Sequence, residues 1–463
     1  MKTAYLIGIK GVGMTALAKY LSEAGFSVEG SDNADTYVTD NVLLENKIKV
    51  YSPFSEENLK QKNPDLVVVS AAYDKNNIEV KTAYDQKLNI KYYSDVLADI
   101  TAEKKLIAVA GIHGKTTTSS LLALLLENAK LDPSYIIGAA NVPVLNQNAH
   151  AGTGDYFVLE ADEYRRSPQD NQSKFLSLNP QIAIISSIEL DHPDIFNSIE
   201  EIYQAFYSFA CRVDRAGKII LNIDYPKAQK LAHSLADRSF ETYGFDSTAS
   251  WQIVNTKEGD QTLFSIKHDG NLFGPYELAI PGKHNISNAA TAVILANLLD
   301  IDDQILKTTL KEFRGVERRF QITAQVGDIT IIDDYAHHPT AIMKTLEAAK
   351  AKYPKAKIVC IFQPHTYSRT QALLKEFGTA FSLADKVIVT DIYTSAREAE
   401  GKITSQDLVN EIKKNHNNVQ YMNSWDKIKK YLVIFGAQPT VILTVGAGDI
   451  YKLGRELPEV FKK

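Results

Sequence analysis

The sequence predicts an α/β protein of three domains, each built on a mostly parallel sheet with helices on its faces. Strand-like apolar runs alternate with amphipathic helical runs almost throughout, the pattern of parallel sheets covered by helices. Two strand candidates run straight into glycine-rich turns that open helices, as in doubly wound sheets. The chain has 463 residues, and at roughly 150 residues per domain it has room for about three. A charged stretch, Thr101-Ala-Glu-Lys-Lys105, reads as one linker, and a new unit begins near Arg318. The expected domains are therefore 1–103, 104–317 and 318–463.

The first unit opens with a strand over 4–9, a glycine turn, a helix over 15–24 and a strand ending near Ser31. A further apolar strand is expected over 66–70. In the second unit a strand over 106–110 leads into the second glycine turn, and strands over 156–160, 183–187 and 218–222 follow. Residues 250–280 alternate differently. Two short strand-like runs, with Glu258-Gly-Asp and His268-Asp-Gly-Asn as turn signals, predict an antiparallel patch appended to the sheet. A helix is expected over 287–299. In the third unit the strand candidates are 329–333, 357–362, 386–390 and 440–445, separated by helical stretches.

Composition narrows the function. Hydrophobic residues make up 44% and charged residues 23%, which is ordinary globular usage and excludes disordered, collagen-like and coiled-coil chains. Lys and Arg number 51 against 56 Asp and Glu, a net charge of −5. That is no polybasic nucleic-acid binder. Cys211 and Cys360 lie in no CxxC or Cys/His cluster, so neither a disulfide framework nor a structural zinc site is expected. Glycines interrupt the first apolar run, which lacks a signal pattern. The run over 121–126 is too short to span a bilayer. A cytoplasmic location is expected, with no membrane or nucleic-acid partner.

Several segments carry chemistry. Gly111-Ile-His-Gly-Lys-Thr-Thr117 follows a strand and opens a helix, so its backbone N–H groups can form an anion cradle. Lys115 would reach the β/γ-phosphates of a nucleotide and the Thr116 hydroxyl would hold Mg²⁺. Val109 stands where the general pattern has its first glycine, so the loop is a shortened variant starting at Gly111. The central unit is thus expected to be a P-loop ATPase-type sheet; the bland alternative is a tight turn with an incidental Gly-Lys-Thr. In Gly8-Ile-Lys-Gly-Val-Gly-Met14, residues Gly11, Gly13 and Ala16 fit the G-x-G-x-x-A fingerprint, and Asp32 stands near the ribose-binding position. The first unit is therefore Rossmann-like. NAD and a UDP-sugar both offer the pyrophosphate such a turn cradles, and a packing turn without ligand remains possible.

Glu160-Ala-Asp-Glu-Tyr-Arg-Arg166 ends a strand, where ligands of open α/β sheets sit. Its acids suit a cation, its arginines an anionic substrate, and a solvated charged turn is the alternative. Glu189-Leu-Asp-His-Pro-Asp194 also follows a strand, and His192 between acids could ligate a divalent ion or be structural. Pro281-Gly-Lys-His-Asn-Ile-Ser-Asn288 opens a helix, and His284, Asn285 and Asn288 could face a purine edge, or Asn285 could cap the helix. Val316-Glu-Arg-Arg-Phe320, Asp333-Asp-Tyr-Ala-His-His-Pro339 and Gln363-Pro-His-Thr-Tyr-Ser-Arg-Thr370 belong to the third unit and its junction. Arginines at such a junction can close on a terminal phosphate. Six of the ten histidines lie in these segments (His113, His192, His284, His337, His338 and His365).

The order of these segments resembles the Mur ligases, ATP-dependent enzymes that build the peptidoglycan peptide. Within the family it resembles the members that join L-alanine to UDP-N-acetylmuramate; Ala447-Gly-Asp449 fits as well. The resemblance covers nearly the whole chain. It implies a UDP-sugar domain, a central ATPase domain and a C-terminal domain that closes over ATP and brings the amino acid. By this likeness Gly11, Gly13, Met14, Asp32 and Ser70 would hold UDP-N-acetylmuramate. ATP would fall to Gly111, His113, Gly114, Lys115, Thr116, Thr117, His284, Asn285 and Asn288, with Arg318 or Arg319 at the γ-phosphate and Asp334 near the nucleotide. Thr116, Glu160 and His192 would hold Mg²⁺. Tyr335, His337, His365 and Arg369 would line the L-alanine site, and Lys115, His192, Arg319, His337 and His365 would carry the chemistry. No protein partner is implied. Two departures stand out. Related ligases support a second Mg²⁺ with a carbamylated lysine, yet no lysine lies between Lys174 and Lys218; that modification is not expected. Ser167-Pro-Gln-Asp-Asn-Gln-Ser-Lys174 looks like an inserted surface loop and resembles the recycling members that attach an intact L-Ala-γ-D-Glu-diamino acid tripeptide.

Overall fold

The computed structural model describes residues 1–193, 195–259, 261–394, 401–435 and 438–462. Asp194 and Asp260, named above in two motifs, lie outside them. The α/β class and the three main sheets are as the sequence predicts.

The first sheet has five parallel strands in the order Lys49–Tyr51, Ser27–Ser31, Thr3–Ile7, Leu66–Val69, Ile90–Tyr92. The order reverses at Thr3–Ile7, so the turn over Gly8–Gly11 opens at the switch point where doubly wound sheets take ligands. The expected helix begins earlier, at Val12, and runs Val12–Glu23.

The second sheet has ten strands. Its parallel centre runs Phe240–Gly244, Lys218–Asn222, Ile182–Ile185, Lys105–Ala110, Tyr156–Ala161, Ser134–Ile136. The antiparallel patch contains three strands, Trp251–Lys257, Thr262–His268 and Asn271–Leu278, where two runs were expected. The helix Lys115–Asn128 is buried from Thr116 to Leu126, between this sheet and the helix Lys283–Leu298. Burial on all sides is why its apolar run Leu121–Leu126 shows no amphipathic stripe.

The third sheet runs Gln321–Val326, Ile329–Asp334, Thr440–Val445, Lys357–Phe362, Lys386–Val389, Val419–Tyr421. The first pair is antiparallel and the rest are parallel.

The two junctions differ in kind. One continuous apolar core joins the first sheet to the central one, with Tyr20 against Phe157 at 5.3 Å between ring centroids. The C-terminal cores include no residue of the other domains, and polar contacts dominate that junction. Among the described residues no helix is long and apolar enough to cross a membrane.

Candidate functional site

The three domains enclose a cavity of about 620 Å³ at their meeting point. Its walls come from strand ends and helix starts. Gly111 (φ 137°) and Gly114 (φ 84°) shape the loop before Lys115–Asn128. A Cβ on Gly111 would stand 2.2 Å from the Ser186 hydroxyl oxygen, and one on Gly114 would stand 2.5 Å from Asn288 Oδ1. Only glycine fits either place, and the loop can therefore press its N–H groups toward a ligand. The His113 N–H donates to Ser187 Oγ at 2.8 Å, which pins the loop to the neighbouring strand end. Gly111 itself does not line the cavity; its carbonyl accepts from Lys115 Nζ at 2.6 Å.

An acid cluster faces this loop. Lys115 Nζ donates to Glu163 Oε2 at 2.8 Å. Thr116 Oγ1 donates to Glu160 Oε2 at 3.1 Å, and the Gly138 N–H donates to Glu160 Oε1 at 2.6 Å. Burial, reinforced by Asp162, pushes the Glu160 carboxyl up to about 7. Glu163 sits between Lys115 and His192, whose Nε2 is 3.2 Å away. Burial works against its charge, but these two cations outweigh burial and bring its carboxyl to about 2. His192, by contrast, is raised despite burial, by Asp191 and Glu163. Thr116 and Glu160 are an oxygen pair suited to Mg²⁺. His192, expected beside them, spends its Nε2 on Glu163 here.

His284, Asn285 and Asn288, the residues expected to face a purine, all line the cavity. Asn285 Nδ2 donates to the Pro281 carbonyl at 2.6 Å, so this amide holds the helix entry. Burial holds His284 down to about 3, with Lys344, His113 and Arg319 adding to it.

The C-terminal domain supplies Arg319, Asp334, Tyr335, His337, His365 and Arg369. Arg319 Nη2 lies 3.5 Å from Thr116 Oγ1 and faces the Gly111–Thr117 loop. Arg318 does not line the cavity. Its guanidinium donates to Asp333 at 3.0 Å and to the Gly446 carbonyl at 2.7 Å, between the rings of Tyr335 and Tyr451. Of the two expected phosphate arginines, only Arg319 faces the site. Asp334 accepts from the Phe320 and Ala336 N–H groups at 2.9 and 2.7 Å, which fixes the turn carrying Arg319. His337 Nδ1 is 2.9 Å from the Tyr335 carbonyl. A carbonyl only accepts, so Nδ1 carries the proton and Nε2 keeps a lone pair. Burial, then Arg369, holds this imidazole well below its ordinary value.

On the N-terminal side, Gly11, Gly13, Met14 and Ser70 line the cavity. A Cβ on Gly13 would meet the Tyr93 hydroxyl at 2.9 Å. Asp32 is buried outside the cavity. It accepts from the Lys10 and Asn33 N–H groups at 2.8 Å each, and from the Tyr73 hydroxyl at 3.3 Å, so it braces the glycine turn. His113, Gly114, Lys115, Thr116, Thr117, Glu160 and His192 also line the cavity.

The segment expected as a surface loop after Arg166 is a β-hairpin, Arg165–Ser167 with Asp170–Ser173. It reaches the N-terminal domain: Arg166 Nη2 donates to Asp95, and Gln169 Nε2 donates to Asp74 at 3.0 Å. Among the cavity residues given no individual role from sequence are Glu163, Tyr93, Lys174, Tyr225 and Lys344. Glu163 had a signal, three positions after Glu160 at a strand end; Lys344 had none beyond standing one turn after Thr340 on a helix.

Comparison with known proteins matches this architecture domain by domain. Three family models cover the chain: the Mur ligase family catalytic domain over residues 3–105, the Mur ligase middle domain over 109–296, and the Mur ligase glutamate ligase domain over 318–448. The UDP-N-acetylmuramate–L-alanine ligase of Caldanaerobacter subterraneus is 37% identical over 100% of this chain and 98% of its own. The enzyme of the same name from Alkaliphilus metalliredigens is 38% identical over 99% and 97%. The crystal structure of the UDP-N-acetylmuramate–alanine ligase of Thermotoga maritima superposes with a TM-score of 0.83 at 28% identity, covering 100% of this chain and 99% of that one. A murein peptide ligase of Psychrobacter arcticus shares the fold, with a TM-score of 0.75 at 24% identity over 100% and 99%. With full-length relatives above a third identical, and a family model on each of its three domains, the chain belongs to the Mur ligase family.

Proposed function

We propose that the protein is a cytoplasmic, ATP- and Mg²⁺-dependent ligase that joins L-alanine to the carboxylate of UDP-N-acetylmuramate, releasing ADP and phosphate. The observation that carries this reading is convergence. A pyrophosphate-type turn (Gly11–Met14), a nucleotide loop (His113–Thr117) and a histidine–arginine group (His337, His365, Arg369) come from three domains and face one cavity. The two cysteines are free, consistent with a reducing compartment.

The chemistry follows from the residue types. A carboxylate is a poor acyl donor because its leaving group is oxide. Its oxygen therefore attacks the γ-phosphorus of ATP, the bond to the bridging oxygen breaks, and ADP leaves. The resulting acyl phosphate is attacked at carbon by the α-amine, and inorganic phosphate departs. Lys115 and Arg319 are the chain's own cations for the charge that builds on the transferring group. Mg²⁺ would be held by Thr116 and Glu160, and it supplies further charge neutralisation on the phosphates. Ahead of the attack the ammonium of alanine must lose a proton. His337 fits that task, since its Nε2 keeps a lone pair while the Tyr335 carbonyl holds its ring. Binding all three reactants in one enclosed cavity adds proximity.

The test is phosphate release from Mg-ATP with UDP-N-acetylmuramate, offering L-alanine, D-glutamate or the L-Ala-γ-D-Glu-diamino acid tripeptide in parallel, with mass spectrometry of the product. Turnover with L-alanine alone is expected. Preference for the tripeptide would make this a recycling ligase and give the hairpin a part in acceptor choice. Silence with every acceptor would overturn the ligase reading.

A further inference from the structure

Lys344 enters the nucleotide end of the cavity from the C-terminal domain. It lies on the helix Pro339–Lys352, one turn after Thr340, and is half-buried. The next turn brings Ala348 against the entry of the helix Lys283–Leu298: a Cβ on Gly282 would stand 3.0 Å from Ala348 Cβ. This face of the helix is therefore directed at Gly282–Asn288. The ammonium donates its hydrogen bond to the Tyr225 hydroxyl, with the Tyr225 ring centroid at 4.8 Å. Tyr225 also lines the cavity, in the central domain just before the helix Pro226–Ser234.

The surroundings of Lys344 are those of a cation waiting for an anion. Among the described residues no carboxylate pairs with it, and its partner is a neutral phenol. Asp224 lies within its electrostatic reach, but that carboxylate accepts from the Phe245 and Asp246 N–H groups at 2.8 and 3.0 Å. His113, on the phosphate-cradling loop, and His284 both feel the ammonium and are disfavoured as cations. Lys344 is thus a half-buried ammonium beside two imidazoles disfavoured as cations, with no ion-paired acid among the described residues. A nucleotide phosphate would supply the anionic partner, and a charge-assisted contact is about twice as strong as a neutral one.

We propose that Lys344 is a nucleotide-binding residue contributed by the C-terminal domain, its ammonium contacting an anionic phosphate oxygen of ATP, and that Tyr225 is the positioning residue that aims it. This rests on the ATP-dependent reading above. It gives the C-terminal domain a direct hold on the nucleotide besides Arg319, so that binding ATP draws the two domains together at the nucleoside end.

The experiment is ATP and ADP binding by titration calorimetry, together with steady-state kinetics, on the whole protein and on K344M, K344R and Y225F. Expected are a rise of about tenfold or more in the ATP Kd and KM for K344M, a partial recovery in K344R, and a rise of several-fold in Y225F. KM for L-alanine and for UDP-N-acetylmuramate should stay within twofold. Unchanged ATP affinity in a folded K344M would overturn the proposal, as would a loss confined to kcat. K344R keeps the charge and the length, so a failure of K344R equal to that of K344M would point to packing and also overturn it. If the unsubstituted protein binds neither ATP nor ADP, the ligase reading falls first and this inference falls with it.

Discussion

Arg369 of the C-terminal domain donates from Nε to Asp191 Oδ1 of the central domain at 2.8 Å, and the two side chains are 6% and 4% exposed. This is a buried ion pair across a junction that also carries single polar contacts, among them His338 Nε2 to the Leu190 carbonyl at 3.1 Å and Thr340 Oγ1 to Glu189 at 2.9 Å. The same arginine donates from Nη1 to His365 Nδ1 at 3.2 Å. It therefore ties domain position to the expected amino-acid site. Breaking a buried pair from one side costs about 3–5 kcal/mol because it strands the other charge. D191N should lower kcat/KM for L-alanine by about a hundredfold or more, and R369K should do the same, since lysine cannot reproduce the fork. A double-mutant cycle on kcat/KM checks this: the combined variant should lose far less than the product of the single losses. Strict multiplicativity would show that the pair acts on nothing in common.

Lys115 bridges the Gly111–Thr117 loop and the acid cluster, donating to the Gly111 carbonyl at 2.6 Å and to Glu163 at 2.8 Å. K115A should reduce ATP turnover by about a thousandfold or more, with or without the other substrates. It should also leave Glu163 facing only His192, so thermal unfolding of the ligand-free protein should shift down by a few degrees while remaining cooperative. Phosphate-release rates and a melting curve on the same sample separate the two effects. Near-normal turnover would remove the phosphate-cradle assignment.

Two imidazoles tie stability to acid. His113 is held down to about 4 and His284 to about 3, in each case by burial first. An unfolded imidazole titrates near 6.5. Between these values the unfolded chain binds more protons than the folded one, so stability rises with pH there. The contribution is fully present above about 6.5 and is lost as pH falls toward 4. Glu160, raised to about 7, acts with the opposite sign in this window, so the test is the difference between variants: from pH 7 to 5 the melting temperature of ligand-free H284Q should fall less, or rise more, than that of the unsubstituted protein. An H284Q profile parallel to that of the unsubstituted protein would contradict a neutral, buried His284.

The hairpin after Arg166 steadies the far side of the cavity. Arg166 reaches Asp95, whose Oδ2 accepts from the Tyr92 N–H at 3.2 Å at the start of the helix carrying Tyr93. Tyr93 in turn stands over Gly13. R166A should raise KM for UDP-N-acetylmuramate several-fold and leave KM for ATP within twofold. The junction it bridges is already held by an apolar core, so its global stability should change by less than about 1 kcal/mol.

Much of this was legible in the chain because its chemistry follows strand ends. Glycine turns, acids and histidines placed after successive apolar runs disclose the class, the three main sheets and most of the segments that line the cavity. What stayed hidden was pairing. Arg318 and Arg319 are neighbours with identical chemistry, and only the turn held by Asp334 sends one into the cavity and the other to Asp333 and Gly446. Asp32 stands at a ribose-binding position by spacing, yet backbone N–H groups of its own turn satisfy it. The polar run over 167–174 reads as a loop because a hairpin without an apolar face carries no period-two signal. Lys344 looks like any helix lysine until Tyr225, more than a hundred residues earlier, is placed beside it.

His365 offers the most selective test of the amino-acid site. Its ring stacks on Tyr393, with centroids 5.6 Å apart and planes 15° apart, and its Nδ1 accepts from Arg369. The ring is fixed on two sides and lies 6.1 Å from the His337 ring. Both rings belong to the C-terminal domain and line the cavity. H365A should raise KM for L-alanine by about ten- to a hundredfold while KM for ATP and for UDP-N-acetylmuramate stay within twofold. Loss of kcat should be smaller than for R369K, because the Arg369–Asp191 pair remains. H365N keeps a polar group near Arg369 and should recover part of the loss. A change in ATP affinity alone would move His365 out of the amino-acid site, and equal rises for all three substrates would make it a scaffold residue. The direction of the KM shift therefore decides the assignment without any need for a structure of the complex.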